Sequence, residues 1–402
     1  MNYGMNKLLT GFVLFFTVFL SFLIIQYVKI APLFFVGLLA FLLCLFLSYK
    51  FKKFNFWKGF FFNLGILMLL GGLTEGYFTW FKASVIREGE IQTKEDFLHG
   101  GDYYVSDAAR GYAAGNNIKK IVKKTLKGKV IYDVIYTTNG FGLRVSPHDV
   151  DGSGKELNKN YVDAFFFGDS FTYGEGVNDD ETLPYLFEKF SGGRYRAYNL
   201  AFHGYGPQQM LRVIETGFLE KIVSGQRPRV IVYEALVQHI ERAVGKLIWD
   251  AKVPRYNLSG SGTPKYAGTF ANDPALKKNL EYSKSLANPR SNLLAQTGIT
   301  RLVGEDRTPE DIRLFVQIVV QTKKLVEKKY NGKFYVVLWP LGDKDANVVI
   351  NSLENNGVEI ITVDQIFKKY QDSPDNYQIP NDNHPTKLAN ERIAHYLLDY
   401  LH

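Results

Sequence analysis

A single cysteine, Cys44, is all the thiol that this chain of 402 residues offers, and it lies inside an apolar run. An intrachain disulfide, a cysteine-based zinc site and a cysteine nucleophile in the downstream part are therefore excluded. Paired metal-ligand spacing is missing as well. The seven histidines (His99, His148, His203, His239, His384, His395, His402) show no His-x-x-x-His arrangement, and nothing in the sequence calls for a metal or a cofactor. A phosphate loop is also absent: before Gly152-Ser153-Gly154-Lys155 the first glycine is missing, and Glu156 stands where a Ser or Thr belongs, so this stretch reads as a turn. No internal repeat is evident. The positive charge that nucleic acid would require is concentrated elsewhere. Residues 1–90 carry eight Lys/Arg against three acids, which leaves +3 of the net +8 for the other 312 residues. With 46% hydrophobic and 22% charged residues, wholesale disorder is excluded.

What is present first is a membrane signal. A span needs about 20 apolar residues to cross a hydrocarbon core of roughly 30 Å. Three stretches qualify: Leu8 to Tyr27, Ala31 to Ser48, and Gly59 to Trp80. The first competes with a cleavable signal peptide, but it is too long and no small-x-small cleavage pattern precedes Lys29. Orientation follows from the lysine bias of the short loops. Lys50, Lys52, Lys53 and Lys58 lie between the second and third stretches, against Lys29 alone between the first and second. The expectation is a multi-pass anchor over 1–85 with three spans, an inside N-terminus, and everything after Trp80 periplasmic or extracellular. Glu75 in the third stretch reads as an interfacial acid.

Residues 86–160 read as a small β-rich segment. They hold Gly/Tyr-rich turns, a lysine cluster from Lys119 to Lys129 that reads as a solvated face or a lipid-headgroup contact, and an alternating run from Val130 to Tyr136. From Val162 short apolar runs alternate with helix-period segments. The runs are Ala164–Phe167, Tyr195–Leu200, Val230–Tyr233, Phe334–Trp339 and Val358–Val363. The helices are Thr182–Phe190, Pro207–Val223, Pro309–Tyr330, Asp345–Asn355 and Pro385–Leu401. This alternation predicts an α/β domain over 161–402: a three-layer α/β/α sandwich with a mostly parallel sheet, interrupted by a Gly/Ser/Asn/Pro-rich insertion at about 245–305. In such sheets the reacting groups gather beyond the C-terminal strand ends.

Two such ends and the loop before the last helix carry chemistry. After the first run comes Gly168-Asp169-Ser170, a strand stopping at a glycine with a serine at the start of a helix. Ser170 is either an exposed acyl-transfer nucleophile or a helix cap. The second run leads into Asn199-Leu200-Ala201-Phe202-His203-Gly204, where a glycine lets the backbone approach a reacting carbonyl and donate its N–H. Directly before the last helix stands Asp382-Asn383-His384-Pro385. Histidine is the base suited to take a hydroxyl proton near neutral pH, Asp382 can fix its tautomer, and Pro385 is expected at the first turn of that helix.

Together these blocks resemble the SGNH/GDSL hydrolase superfamily, over roughly residues 107–402, and the run Thr138 to Arg144 is similar to the lead-in of its membrane-anchored bacterial branch. The resemblance implies an SGNH (flavodoxin-like) fold, Ser170 as nucleophile, His384 as general base, Asp382 as its orienting acid, and the Ser170 and Gly204 amides in the oxyanion hole. Where the superfamily carries a Gly-x-Asn-Asp block, this chain reads Tyr233 to Arg242 without asparagine, leaving Gln238 or His239 as the candidate third donor. The acid stands two residues before the histidine rather than three, a spacing also found among envelope O-acetylation relatives.

The expected function is thus a membrane-anchored, extracytoplasmic serine esterase or O-acyltransferase acting on ester-linked acyl groups of an envelope glycan or lipid. The alternative is a non-catalytic SGNH-like protein that binds glycan or scaffolds an envelope assembly.

Overall fold

The computed structural model describes residues 32–51, 53–80, 91–150, 161–223, 229–248, 250–272 and 307–401. Two compact units divide these residues, one up to residue 80 and one from Ile91 onward.

Among the described residues the first unit holds two helices, α1 (Pro32–Lys50) and α2 (Asn55–Trp80). Small residues let them touch. A Cβ on Gly37 would meet Met68 O at 2.7 Å and Gly72 Cα at 2.8 Å, while one on Gly65 would come within 3.0 Å of Cys44 Cβ. Low residues of α1 therefore face high residues of α2, an antiparallel hairpin with glycine in its seam. Among the described residues one helical stretch, Asn55–Thr74, is long and apolar enough to cross a membrane; the apolar part of α1 from Gly37 to Lys50 is shorter. The span expected from Gly59 starts four residues earlier, because Asn55-Phe56-Trp57 continue the helix and the single charge of Lys58 does not end it. The first stretch expected to span, Leu8 to Tyr27, lies outside the described residues.

The second unit contains a five-stranded parallel sheet. Its strands are β6 (Val162–Phe167), β7 (Tyr195–Asn199), β8 (Arg229–Leu236), β11 (Lys333–Trp339) and β12 (Glu359–Thr362), in the spatial order β12-β11-β8-β6-β7. The chain reverses direction across the sheet between β6 and β8, the place where doubly wound folds open a crevice. Every residue of β8 is buried, as a strand covered on both faces requires.

Alternate residues then serve opposite layers. Phe165, Phe167, Ile231, Tyr233 and Val336 pack under α5 (Pro207–Glu215) and α6 (Pro309–Tyr330), whereas Ala164, Phe166, Val232 and Val337 pack under α4 (Leu183–Phe190) and α7 (Lys387–Tyr400). The helix expected over Pro207–Val223 breaks into Pro207–Glu215 and Leu219–Ile222, because Gly217 adopts φ 69°. The last helix starts at Lys387 with Thr386 as its cap, so Pro385 precedes the helix; it is engaged in a β-bridge with Gln378 instead of opening the first turn.

Of the segment 86–160, the described residues 91–150 belong to the same compact unit as the sheet. Strands β1 (Ile91–His99), β4 (Lys119–Leu126) and β5 (Lys129–Thr137) form an antiparallel sheet, and β2 (Tyr104–Asp107) pairs with β3 (Gly111–Ala114). Tyr103, Tyr112, Tyr132 and Tyr136 from this part share a buried cluster with Tyr173, Phe202 and Tyr205, which lie beyond the ends of β6 and β7. Arg144 fastens the two parts. Its fully buried guanidinium reaches Asp179 Oδ1 at 2.9 Å, Tyr173 O at 3.0 Å, Val177 O at 2.7 Å and Ile135 O at 3.0 Å. In the insertion the described residues form the hairpin of β9 (Pro254–Leu258) and β10 (Pro264–Thr269).

Candidate active site

Beyond β6 the chain must turn sharply. A Cβ on Gly168 would lie 2.0 Å from Thr172 Oγ1 and 2.9 Å from Glu234 O, so only glycine fits between the strand end and the next turn. Asp169, not Ser170, caps the short helix α3 (Ser170–Tyr173): its Oδ1 accepts from Phe171 N at 3.0 Å, and its Oδ2 accepts from Arg242 Nη1 at 2.7 Å. The capping role that Ser170 could have filled is thus taken by its neighbour, and the serine hydroxyl is left for another partner.

That partner comes from 214 residues away. In the tautomer with its proton on Nδ1, His384 donates to Asp382 Oδ1 at 2.5 Å and accepts at Nε2 from the Ser170 hydroxyl at 2.8 Å. The loop that holds this pair is bent by two asparagines: Asn381 has φ 63° and Asn383 φ 72°, a left-handed conformation that asparagine tolerates better than other side chains. Asp382 and Asn383 both donate their amides to Ile379 O, and Ile379 N donates to His384 O at 2.8 Å. Left-handed residues on either side of Asp382 explain how an acid at minus two can reach the imidazole from its own loop.

The charges are arranged around the ring. Burial alone would raise Asp382, but the His384 hydrogen bond and the Lys124 ammonium, 2.6 Å from its Oδ2, outweigh that and hold it at about 2. For His384, burial pushes downward, and the bond to Asp382 together with the charges of Glu175, Asp382 and Asp169 leaves it above the ordinary imidazole value. Glu175 is held at about 2 in the same way: burial opposes, His203 and His384 prevail.

A cavity of about 630 Å³ opens at this point, lined by Ser170, His384, Gly204 and Gln238 and, from the small sheets, by Tyr104, Lys120 and Tyr132 among others. Ser170, His384, Asp382, Gly204 and Gln238 thus converge as the sequence reading grouped them. His239 does not. Its ring has no exposure, its Nδ1 lies 2.6 Å from Tyr233 OH, and it faces Asp169 beneath the Gly168–Ser170 turn. One residue along the helical turn His239–Ala243 swings the side chain by about 100° from Gln238, so His239 is withdrawn as an oxyanion donor.

Four nearby side chains carried no assigned role in the sequence reading. Glu175 Oε2 lies 2.8 Å from His203 Nδ1 and 3.6 Å from His384 Nε2, and His203 Nε2 lies 2.9 Å from Tyr103 OH. Lys124 and Arg242 complete the set. His203 had a visible signal, since it adjoins Gly204. Lys124 was hidden in a lysine run. Among the described residues Glu175, Asp382 and His384 offer ligand-type atoms within 4.8 Å of one another. Each already has a protein partner, in His203, Lys124 and Ser170, and we assign no metal there.

Neither a family model nor a curated protein matches the sequence. Among solved structures the chain is similar to a lipolytic G-D-S-L family protein from Veillonella parvula DSM 2008, 13% identical, covering 59% of this chain and 97% of that one at a TM-score of 0.32. It is also similar to a carbohydrate acetylesterase from Sinorhizobium meliloti (9% identical, 60% and 98% covered, TM-score 0.31) and to an acetylxylan esterase from Geobacillus stearothermophilus (12%, 61% and 95%, 0.31). Likeness at this level carries no weight for activity, which rests on the site itself.

Proposed function

We propose that this protein is a membrane-anchored serine esterase or O-acyltransferase of the SGNH type. The observation that carries the proposal is the continuous hydrogen-bonded line from the Ser170 hydroxyl through His384 to Asp382. Ser170 Oγ attacks the acyl carbonyl while its proton passes to His384 Nε2. The bond from the carbonyl carbon to the leaving oxygen then breaks, and that oxygen takes the proton from His384. Water or a second alcohol attacks the acyl-enzyme, gives its proton to His384, and Ser170 leaves reprotonated. Hydrolysis and transfer use the same residues. The amides of Ser170 and Gly204, with the Gln238 carboxamide, are assigned to the oxyanion.

The substrate class we propose is an ester-linked acyl group of an envelope glycan or lipid, and the tyrosine-rich wall of the cavity suits the ring faces of a sugar. Tyr104 and Tyr132 offer ring faces and Thr93 and Asp250 offer polar groups, while the Tyr112 and Tyr136 hydroxyls and the Lys120 ammonium are engaged within the protein by His203 O, Gly176 N and Glu95. The setting we propose is the outer face of the membrane, with three N-terminal spans and the four-lysine loop on the cytoplasmic side. The missing asparagine favours a second reading, a glycan-binding or scaffolding protein with a degraded oxyanion hole.

Fluorophosphonate labelling of the full chain separates the two. Labelling of the wild type that is abolished in Ser170→Ala and sharply reduced in His384→Ala is the expected result; a wild-type chain that never labels overturns the catalytic reading.

A further inference from the structure

We infer that Lys124 is a positioning residue of the triad: it holds the Asp382 carboxylate so that one oxygen is committed to the lysine and the other to His384. The inference rests on the proposed catalytic reading and deepens it.

The geometry is specific. Lys124 Nζ sits 2.6 Å from Asp382 Oδ2, while Asp382 Oδ1 takes both His384 Nδ1 at 2.5 Å and the His384 amide at 3.3 Å. The Asp382 side chain has no exposed surface, so an Oδ2 without the lysine would be a buried, unpaired anionic oxygen. Exposed ion pairs contribute little because water competes with them; here water cannot reach the carboxylate, and the carboxylate rather than the lysine is the group that needs the contact. With Oδ2 taken, rotation of the carboxylate about its Cβ–Cγ bond is blocked, and Oδ1 stays in the plane of the imidazole N–H.

The strand is built to deliver this side chain. Along β4 the even-numbered residues Lys120, Val122 and Lys124 share one face, and the first two line the cavity. Lys123 faces the other way and pairs with Asp133. A register shift between Lys124 and Thr125 lets Ile131 of β5 bulge from the ladder opposite, a device that redirects side chains next to functional sites. The lysine cluster therefore has two faces, one solvated and one directed at the acid of the triad, 258 residues distant in the chain.

The charged and titratable groups facing His384 are Asp382 from its own loop, Glu175 and Asp169 from the nucleophile turn, and Lys124 acting through Asp382; His203 reaches it through Glu175 and Tyr132 borders both carboxylates. Removing Lys124 takes a cation from this set and makes the imidazolium easier to form. The test is a titration of the His384 ring by NMR in the full chain in detergent micelles, compared across the wild type, Lys124→Met, Lys124→Gln and Lys124→Arg. A rise of the His384 midpoint by up to about one pH unit in the Met and Gln variants, with none in the Arg variant, is expected. Fluorophosphonate labelling should slow by roughly tenfold in Lys124→Met, its acid limb should move to higher pH, and Lys124→Met should add nothing in an Asp382→Asn background. An unmoved midpoint in a folded Met or Gln variant, or additive losses in the double variant, overturns the inference. A wild type that never labels fails the catalytic reading instead, and the titration still decides whether Lys124 acts on His384.

Discussion

Glu175 places a carboxylate oxygen 3.6 Å from His384 Nε2, the same nitrogen that meets the Ser170 hydroxyl. The imidazole is thus flanked by anions on both sides, Asp382 at Nδ1 and Glu175 near Nε2. A negative group beside Nε2 favours the imidazolium that the proposed reaction forms, and it raises the pH at which the ring becomes a free base.

Glu175→Gln should therefore move the acid limb of the labelling rate to lower pH, by up to about one unit. The sign follows from His384, whose folded value lies above the ordinary one partly because of Glu175; removing the charge lowers it. The amide oxygen of the replacement can still accept from His203, so the turn is kept. A pH profile from 4 to 8 makes the check, and a limb that stays put or moves upward would show that Glu175 does not act on His384. The shift is opposite in direction to that expected for Lys124→Met, which separates a field effect from general damage to the site.

Glu234 lies in the central strand directly under the Gly168–Ser170 turn. It is fully buried, and burial pushes it up to about 7 although Thr172 Oγ1 at 2.6 Å and Trp339 Nε1 at 2.7 Å both favour its charged form. Its value in the unfolded chain is near 4.5. Between these values the folded state binds more protons than the unfolded state, so this residue's contribution is full below about pH 4.5 and is lost as pH rises through 7. The loss is at most about 3 kcal/mol. Glu234→Gln should flatten the stability difference across this window and be more stable than the wild type at pH 8. Thermal melts of both proteins at pH 5, 6, 7 and 8 give the comparison; parallel curves would show that Glu234 is ionised throughout.

The sheet was legible from short apolar runs because a strand buried on both faces, such as β8, has no polar alternation to hide it. The turn at Gly168 was legible because a strand end with no room for a Cβ has to carry a glycine. Partner choice was less visible. Lys124 sits in a run where every second lysine looks like its neighbour until a strand assigns them to opposite faces, and the bulge that aims it leaves no residue signature. His239 looked equivalent to Gln238 by spacing, yet a helical turn separates them by about 100°. Arg144 is a buried clamp with one side-chain acceptor, Asp179, and four backbone carbonyls, those of Ile135, Tyr173, Gly174 and Val177, and carbonyls carry no side-chain identity to read.

Gln238 is the remaining side-chain candidate for the oxyanion. It is exposed, lines the cavity with Ser170 and Gly204, and anchors nothing in the core. Gln238→Ala should therefore leave the melting temperature unchanged while slowing turnover of a small acetyl ester by about 10²–10³, the cost of one missing donor. The loss should fall on kcat with little change in KM, because the developing oxyanion and not the ground-state carbonyl takes the bond. Steady-state kinetics of the two proteins at a pH above the His384 limb make the measurement. If Gln238→Ala turns over as fast as the wild type, Gln238 is not an oxyanion donor, and the Ser170 and Gly204 amides carry the charge without it.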